Sequence, residues 1–585
     1  MQQAQTDEAP RLRSRIWAHR RTIALLLLCQ LGQVSASLLL PGFSADVIDR
    51  GILAKAPGVI WQFSGLMGLA SIVQLVLSIV AVMLGARIAF QIGRDLRADV
   101  FDKVHGLALS QVQGFSVGSL ITRCTNDVLQ VQTMVIMALT MIVIAPIMGV
   151  GGAIMAVRQD VQLSGLLLVA VPVLALIIGN LTLRATPLFQ IMQGQLDRVN
   201  SVLREQIEGI RVIRAFLQKD REAARFAEAN ADLTRTAIHA GRLMSMTMPS
   251  VSAVMQMASV ALIWLGADRV ISGDLEVGAL IAFLSYVSLI LIAVMMMGML
   301  VVMLPRALVS ARRIDDLLLS PLEVGPPSAP VALPDKGQGL HLRFEEVSFG
   351  YPGAQSRVLQ DITFDLGPGE VLGIIGPTGS GKSTIVNLIA RLNDPSEGRV
   401  TLGGVDLRDI ASEDLARRLG YVPQKAYLFS GTVRDTLRLG APEADDAALW
   451  RALDVAQAAE FVRALPDGLD APVAQGGTNF SGGQRQRLAI ARALVCDADL
   501  YLFDDSFSAL DQATDARLRA ALRGAVSHAA TVIVSQRVLS IREADRILVI
   551  ERGRVVGFAP HDILLRDCPV YAEIVRSQMG AEAAA

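Results

Sequence analysis

Long apolar segments dominate the first half of the chain. Six of them contain about 20 or more mainly apolar residues, the length that a helix needs to cross the hydrocarbon core of a bilayer. Charged side chains are nearly absent inside these segments. The pattern therefore predicts six membrane-spanning helices, at Thr22–Phe43, Val59–Leu84, Val128–Val157, Val161–Leu183, Met248–Ile271 and Val277–Leu304.

The connections between the predicted spans differ in length and charge. They are short after the first, third and fifth spans and long after the second and fourth, and the long connections carry many arginines and lysines. Because positive charge is retained on the cytoplasmic side of a membrane, we expect the long loops and both termini to be cytoplasmic.

The two long loops have a helical pattern of their own. In the first, Ile88, Ile92 and Leu96 recur every four residues with charges between them, which predicts that the spans continue as helices beyond the bilayer. We expect a turn in each loop, at Gln113–Gly118 and at Glu208–Ile213. Two such loops on one side favour contact sites for a soluble domain, and the alternative is a pair of long solvated hairpins.

The composition changes after the sixth span. Ser320–Pro330 is rich in proline, glycine and serine, as linkers are, and a soluble α/β domain of roughly 240 residues is expected after it. At the other end, Arg11–Arg21 is predicted to be a basic amphipathic segment on the membrane surface, with a solvated tail as the alternative. The predicted organisation is an N-terminal cytoplasmic or interfacial segment at 1–21, a transmembrane domain at 22–304, a linker at 305–340, the α/β domain at 341–579 and a tail at 580–585.

Composition supports a membrane protein and excludes several other classes. Of the 585 residues, 52% are hydrophobic and 19% are charged, whereas soluble domains contain about 25% charged residues. The formal net charge of -1 gives no reason to expect a nucleic-acid partner. The four cysteines are widely spaced, which argues against a disulfide framework or a cysteine-rich metal site.

A glycine-rich motif follows an apolar strand in the α/β domain. Val371–Ile375 is that strand, and the motif has the pattern G-x-x-x-x-G-K-S/T that places backbone N–H groups around phosphate oxygens at a helix N-terminus. Lys382 is predicted to reach the β- and γ-phosphates of ATP, and Ser383 to bind Mg²⁺. The predicted nucleotide-binding residues of this loop are Gly376, Pro377, Thr378, Gly379, Ser380, Gly381, Lys382, Ser383 and Thr384.

A second acidic stretch, Phe503–Asp511, follows another apolar run. Asp504 at the end of this run is expected to hold Mg²⁺, through water, and Asp505 follows it. Upstream of the glycine-rich motif, the ring of Tyr351 is a candidate to stack on the adenine.

Three further motifs carry a family resemblance. Phe480–Arg487 reads FSGGQRQR and resembles the LSGGQ signature of ATP-binding cassette proteins, Gln424 lies in a segment that resembles their Q-loop, and Ser508–Asp511 resembles their D-loop. Six spans followed by one cassette is the layout of an exporter-type half-transporter, so the resemblance covers essentially the whole chain. It implies an all-α six-helix transmembrane domain with long helices that extend into the cytoplasm, followed by an α/β P-loop nucleotide-binding domain.

The resemblance also assigns roles to residues. It implies that two cassettes enclose two ATP molecules, each between the P-loop of one chain and the signature of the other. It further implies that the turns near 113–118 and 208–215 are coupling helices that dock on the cassettes. The residues that it adds to the nucleotide site are Gln424, also a Mg²⁺ ligand, together with Ser481, Gly482, Gly483, Gln484 and Asp511.

The sequence departs from the family pattern at three positions. Asp505 occupies the position of the general base, which is usually Glu; Gln536 occupies the switch-loop position, which is usually His; and Gln475 replaces a Glu upstream of the signature. Asp505 and Gln536 are the catalytic candidates. A general base displaced by about 1 Å can cost on the order of 10²-fold in rate, and glutamine cannot carry the charge of a histidine. Together these two positions resemble the degenerate subunit of heterodimeric bacterial exporters.

The expected function is that of a multi-pass subunit of an ATP-driven exporter in the bacterial cell membrane. It is expected to use ATP and Mg²⁺, to move apolar or amphipathic solutes such as drugs, lipids or peptides, and to pair with a second half-transporter that has Glu and His in its site. An importer with the same fold, for instance for siderophores, and an ATP-gated channel or regulator are the alternatives.

Overall fold

The computed structural model describes Arg15, residues 17–336 and residues 339–579. The predicted tail at 580–585 and most of the predicted N-terminal segment lie outside these residues. The chain divides into two compact units. Among the described residues, the first comprises those up to Lys103 together with Gly118–Ser320, and the second comprises Val104–Val117 and those from Pro321 onward.

The first unit is a bundle of long helices. Within the described residues, six helices are long and apolar enough to cross a membrane, so the prediction of six spans is confirmed. Most of them extend well beyond the predicted apolar segments, as the helical pattern of the loops indicated. The helices that precede the α/β domain in the sequence, of which α3 lies in the second unit, are α1 (Arg20–Asp46), α2 (Pro57–Gly106), α3 (Leu109–Phe115), α4 (Val117–Thr122), α5 (Val128–Met137), α6 (Val143–Gln159), α7 (Val161–Ser164), α8 (Leu167–Glu208), α9 (Ile210–Ala215), α10 (Lys219–Ser245), α11 (Thr247–Ile271) and α12 (Val277–Leu319).

The last helix of this unit continues past the predicted end of the sixth span. We expected a linker from residue 305, but α12 is helical to Leu319. The reason is that buried side chains recur at helical spacing after residue 305, at Ala307, Ile314 and Leu317. The linker therefore starts at Ser320, about 15 residues later than the composition suggested.

Three segments of π-helix interrupt the bundle, and the sequence did not predict them. They lie at Val47–Leu53, Arg123–Asp127 and Ala138–Ile142. At the third, the fully buried amide of Gln30 donates a hydrogen bond to the carbonyl of Leu139, 2.7 Å away. A π-bulge disturbs the regular hydrogen-bond ladder of a helix, and this side chain satisfies one of the carbonyl groups there.

The first and sixth spans pack closely against each other. A Cβ at Gly278 would lie 2.5 Å from the carbonyl oxygen of Ala45, so a larger residue cannot occupy this position without a shift. The backbone N–H of Gly278 donates to the Asp49 carboxylate at 2.7 Å, and the Tyr286 hydroxyl donates to the Leu38 carbonyl at 3.0 Å. Polar groups at this interface are thus paired inside the bundle.

The second unit contains a parallel sheet of six strands in the order β12-β11-β3-β10-β9-β6, in which β12 alone is antiparallel to its neighbour. A four-stranded antiparallel sheet has the order β2-β1-β4-β5, and β7 pairs with β8. The strands are β1 (Leu342–Phe349), β2 (Leu359–Leu366), β3 (Val371–Ile375), β4 (Glu397–Leu402), β5 (Val405–Asp406), β6 (Leu419–Val422), β7 (Gly431–Thr432), β8 (Pro472–Val473), β9 (Leu500–Asp504), β10 (Ala530–Val534), β11 (Arg546–Glu551) and β12 (Arg554–Ala559).

Helices cover this sheet and place loops at its edge. Because β3, β10 and β9 are adjacent and parallel, their carboxyl ends meet at one edge, where α/β proteins bind ligands. The α/β class predicted for this domain is confirmed. The helices are α13 (Lys382–Ile389), α14 (Ser412–Arg418), α15 (Val433–Arg438), α16 (Asp446–Val455), α17 (Ala459–Arg463), α18 (Gly482–Val495), α19 (Gln512–Ala525), α20 (Val538–Ile541), α21 (His561–Asp567) and α22 (Pro569–Met579).

The tip of the first long loop belongs to this second unit. The N–H of Leu109, at the start of α3, donates to the carbonyl of Leu392 at 3.2 Å, and the N–H of Ser110 donates to Asn393 Oδ1 at 3.4 Å. The Ser110 hydroxyl also donates to Glu323 at 2.8 Å. A short helix, α3, thus docks on the α/β domain, and the turn expected at Gln113–Gly118 is at Ser116, between the end of α3 and the start of α4.

The tip of the second long loop is also a short helix. Where we expected a turn at Glu208–Ile213, α8 ends at Glu208 and α9 starts after Gly209. The side chains that follow α9, Phe216 and Leu217, are 71% and 87% exposed.

Candidate functional site

The glycine-rich loop between β3 and α13 depends on glycine for its shape. Gly379 and Gly381 have positive φ angles of 83° and 101°. A Cβ at Gly376 would lie 2.1 Å from the carbonyl oxygen of Ile550, and one at Gly381 would lie 2.6 Å from the side chain of Leu359. The loop therefore has a conformation in which other residues would be strained or would clash.

The ammonium group of Lys382 is buried within this loop. It donates to the carbonyl oxygens of Gly376 at 2.9 Å and Pro377 at 2.8 Å. Burial lowers the pKa of Lys382, and the carboxylates of Asp505 and Asp504 oppose this shift. The loop thus concentrates positive charge at the N-terminus of α13, as a phosphate-binding loop does.

A hydroxyl and a carboxylate meet at the end of β9. The Ser383 hydroxyl donates to Asp504 Oδ1 at 3.1 Å. Burial raises the pKa of Asp504, and the Ser383 hydrogen bond opposes the shift. A buried carboxylate next to a hydroxyl is a suitable oxygen donor set for Mg²⁺ that is also bound by phosphate.

The hydroxyl group of Ser380, in the glycine-rich loop, supports the binding of a polar ligand. The Ser380 hydroxyl is buried and has no hydrogen-bond partner among the described residues. Buried hydroxyl groups are normally paired, and an unpaired one calls for an explanation such as a bound ligand or water. The residues present therefore fit a Mg²⁺–nucleotide complex.

Asp505 directly follows this carboxylate on a strained backbone. Its φ is 45°, and its N–H donates to the carbonyl of Val534 at 3.0 Å. Its carboxylate accepts hydrogen bonds from the Gln424 amide at 3.4 Å and from the backbone N–H of Gln536. Burial raises the pKa of Asp505, and these hydrogen bonds oppose the shift.

The structure brings most of the predicted nucleotide residues to one cleft of about 230 Å³. Val358 and Val534 complete its walls and were not predicted. Gly376, Pro377 and Ser380 belong to the same loop but do not line the cleft. The predicted residues that line it are Thr378, Gly379, Gly381, Lys382, Ser383, Thr384, Gln424, Asp504, Asp505 and Gln536.

Tyr351 lies beside the first turn of α13. Its hydroxyl is 3.4 Å from Thr384 Oγ1, and its half-buried ring meets the ring of Phe349 edge-on with centroids 5.0 Å apart. The ring is thus held next to the glycine-rich loop by residues of the same domain.

The signature segment starts a different helix. Ser481 caps α18, because its hydroxyl accepts from the N–H of Gln484 at 3.3 Å while the Gln484 side chain accepts from the N–H of Ser481 at 2.9 Å. Phe480 is buried, so the aromatic replacement of leucine serves packing. Gly482 has open space around it. Among the described residues, the signature residues are not part of the cleft lining.

Asp511 is also a helix cap. Its carboxylate accepts from the N–H of Thr514 at 2.9 Å, at the start of α19, and this hydrogen bond lowers its pKa. A contact of Asp511 or Gln484 with nucleotide stays a prediction, since the structure shows the capping role of both side chains.

Sequence reasoning missed the residues that connect the loops around Asp505. The guanidinium of Arg537 donates to the carbonyl of Ser508 at 3.1 Å, and the Ser508 hydroxyl donates to the carbonyl of Asp505 at 2.7 Å. No motif assigns Arg537 a role, and its position directly after Gln536 was the available signal.

Comparison with known proteins gives the family. Residues 23–295 match the ABC transporter transmembrane region, and residues 359–508 match the ABC transporter domain. An uncharacterized ABC transporter ATP-binding protein of Mycobacterium tuberculosis (strain CDC 1551 / Oshkosh) is 44% identical over 570 residues, which cover 97% of each chain. The chain belongs to the ATP-binding cassette (ABC) transporter family.

Two further relatives specify the type of ABC transporter. The fatty acid ABC transporter ATP-binding/permease protein of Mycobacterium bovis (strain ATCC BAA-935 / AF2122/97) is 31% identical over 82% of this chain and 76% of its own. The solved structure of a bacterial Atm1-family ABC exporter with ATP bound has a TM-score of 0.81 and 26% identity, over 96% of this chain and 98% of that one. The ABC transporter described here thus has the exporter-type fold, is a multi-pass membrane protein, and has an ATPase domain coupled to transport.

Proposed function

We propose that this ABC transporter is one half of a heterodimeric exporter, in which its own ATP site is slow and its signature completes the partner's site. The observation that carries the proposal is that the nucleotide cleft and the signature segment lie at separate places in the cassette. The cleft contains Asp505 and Gln536, whereas Ser481 and Gly482 start a helix whose residues are not among those lining the cleft. Together with the family resemblance, this separation supports a site that the signature of a second chain completes.

The residues of the cleft have distinct roles in this proposal. The backbone N–H groups of the glycine-rich loop and Lys382 bind the phosphates of ATP, and Ser383, Gln424 and Asp504 hold Mg²⁺. Bound Mg²⁺ supplies charge neutralisation at the phosphates. Tyr351 stacks on the adenine.

The slow rate follows from the residues at the end of β9. Asp505 accepts the proton of the attacking water less effectively than glutamate, because its side chain is one methylene shorter and its carboxylate is already hydrogen-bonded to Gln424. Gln536 replaces a chargeable histidine with a neutral amide. Nucleotide binding is retained, and hydrolysis is slow.

The exposed second loop tip supports a partner chain. Phe216 and Leu217 follow α9 and are among the most exposed apolar side chains of the chain. Exposed apolar groups at a loop tip favour a protein contact surface. We assign this tip to the partner's cassette, as the family resemblance implies.

The bilayer domain favours an apolar or amphipathic solute. The membrane-spanning helices carry few charges, and the M. bovis relative is named as a fatty acid transporter. Drugs, lipids and peptides of this chemistry are candidates. By the positive-inside rule, the arginine-rich long loops favour a cytoplasmic location for these loops and for both termini. Outward transport is proposed from the similarity to an exporter.

The proposal is tested with the purified chain alone and in complex with the half-transporter encoded beside it. We expect weak ATPase activity from the lone chain, strong activity from the complex, and ATP-dependent uptake of substrate by inside-out vesicles. Vigorous activity of the lone chain that Asp505→Ala abolishes would contradict the slow site. Transport in the opposite direction would identify an importer, and single-channel currents would identify a gated channel.

A further inference from the structure

The C-terminal helix contacts the backbone on both sides of Arg537. The side-chain amide of Gln578, near the end of α22, donates to the carbonyl of Gln536 at 2.7 Å. Its amide oxygen accepts from the N–H of Val538 at 2.9 Å. One side chain thus pairs with a backbone acceptor and a backbone donor two residues apart, which requires both the donor and the acceptor of a carboxamide.

The main chain of Gln536 is therefore held from two sides. Its N–H points to the carboxylate of Asp505, and its carbonyl points to the amide of Gln578. The two hydrogen bonds restrain the backbone from which the Gln536 side chain extends, and this side chain lines the nucleotide cleft.

The helix that presents Gln578 is anchored in the core of the cassette. Tyr571 and Val575, about two turns and one turn earlier in α22, are 0% and 1% exposed. The Tyr571 hydroxyl lies 2.7 Å from Nδ1 of His561, in α21. Gln578 itself is exposed, so its amide adds little to the core and its two hydrogen bonds go to the switch loop.

A chain of hydrogen bonds connects this segment to Asp505. Arg537, which lies between the two residues that Gln578 contacts, donates to the carbonyl of Ser508, and the Ser508 hydroxyl donates to the carbonyl of Asp505. A displacement of the backbone at Gln536 therefore affects Asp505 by two routes, through the Gln536 N–H and through Arg537.

We propose that Gln578 is a positioning residue of the ATP site, which holds the Gln536 backbone so that the Gln536 side chain faces the γ-phosphate. This inference rests on the proposed function, in which Gln536 occupies the switch-loop position of the ATP site, and it does not depend on whether the site is slow. It adds the C-terminal helix to the structure that supports nucleotide binding.

Three variants of the full complex test the proposal. Gln578→Glu keeps the acceptor for the Val538 N–H but loses the donor for the Gln536 carbonyl, and Gln578→Met has a similar length without either group. Ser577→Ala is the matched control, because the Ser577 hydroxyl donates within its own helix, to the carbonyl of Ile574 at 2.9 Å.

Two measurements separate positioning from general stability. The rate of backbone amide hydrogen exchange in the segment 534–541 measures directly how firmly the Gln578 hydrogen bonds hold this backbone. Dissociation of radiolabelled ATP from complexes in which the partner's P-loop lysine is replaced reports this chain's site alone. We expect Gln578→Met to increase both rates on the order of fivefold, the change that corresponds to about one net hydrogen bond, with Gln578→Glu at least as large and Ser577→Ala unchanged.

Unchanged exchange in the Gln578 variants would overturn the proposal, and so would faster exchange without faster ATP dissociation. Equal changes across all segments of the cassette would indicate a merely structural role and would also overturn it. Failure of the slow-site proposal would be seen separately, as strong ATPase activity of the unsubstituted lone chain.

Discussion

Two helices of the cassette begin at glycine-rich segments, and their N-termini are built in different ways. At α13, the residue before the helix is Gly381 in a left-handed conformation, and among the described residues no side chain caps the helix. At α18, Ser481 and Gln484 form a reciprocal capping box. The first four N–H groups of any helix lack partners within the helix, so these two ends leave different groups available for a ligand.

The difference indicates which end depends on a ligand and which does not. At the start of α13, the side chains of Lys382 and Thr384 are buried, and the N–H groups are ones that an anion can satisfy. The start of α18 is exposed and satisfies two of its own N–H groups. A self-capped end folds without nucleotide and remains accessible, which suits a segment that serves the site of another chain.

The largest expected effect comes from the signature end. In the complex, Ser481→Ala should reduce ATP turnover on the order of 10²-fold or more, as the loss of a single transition-state hydrogen-bond donor does. Asp505→Ala should change turnover far less. Steady-state ATPase assays measure both. Asp445→Ala, which removes a similar cap from α16, controls for helix capping, and equal losses for Ser481→Ala and Asp505→Ala would refute the asymmetry.

A second test compares glycines that meet backbone with glycines in open space. Gly376→Ala should destabilise the transporter by about 3 kcal/mol, because the new Cβ meets a backbone oxygen that cannot move freely. Gly524→Ala, in the helix α19 with nothing near it, should stabilise it by up to about 1 kcal/mol. Thermal unfolding without nucleotide measures both. A harmless Gly376→Ala would show that the loop adapts more easily than its geometry indicates.

Restoring the usual family residues at positions 505 and 536 should increase hydrolysis at this chain's site. Asp505→Glu combined with Gln536→His should raise hydrolysis at this chain's site at least about tenfold, because the longer carboxylate comes closer to the attacking water. Single-turnover assays with the partner's site silenced isolate this effect. Asp505→Glu alone should give a smaller gain. No gain in the double variant would mean that another feature keeps the site slow.

The smallest expected effect concerns pH. Burial raises the pKa of Asp505 above 3.8 in the folded protein. Its contribution to stability is therefore complete below the ordinary carboxyl pKa and is lost as pH rises through the raised value.

Relative to Asp505→Asn, the nucleotide-free protein should lose stability as pH rises from the ordinary carboxyl pKa through the raised pKa of Asp505. Chemical unfolding at several pH values measures this loss. Asp511 provides a control of opposite sign, because the Thr514 N–H lowers its pKa. Relative to Asp511→Asn, the protein should lose stability as pH falls. Equal slopes for both variants would contradict the assignment.

The sequence predicted the membrane-spanning helices and the glycine-rich loop because both patterns are local. A span is defined by its own apolar length, and the P-loop by eight consecutive residues between a strand and a helix. The composition change after residue 304 suggested an early end of the sixth helix, but helical spacing of buried residues at Ala307, Ile314 and Leu317 continues it.

The contacts around Asp505 could not be predicted, because they join distant parts of the chain. Gln578 and Gln536 are 42 residues apart, and their pairing depends on how α22 packs on the sheet. The capping box at Ser481 and Gln484 was available in the sequence as serine followed three residues later by glutamine. The family resemblance had assigned these side chains to nucleotide instead.

The docking of α3 on the cassette has a consequence for the order in which the protein folds during synthesis. Ser110 and its partner Asn393 are separated by 283 residues. At about 5–20 residues per second, the ribosome needs roughly 15–60 s to make the intervening chain. The tip of the first loop therefore cannot dock until the surface around Asn393 has been translated and folded.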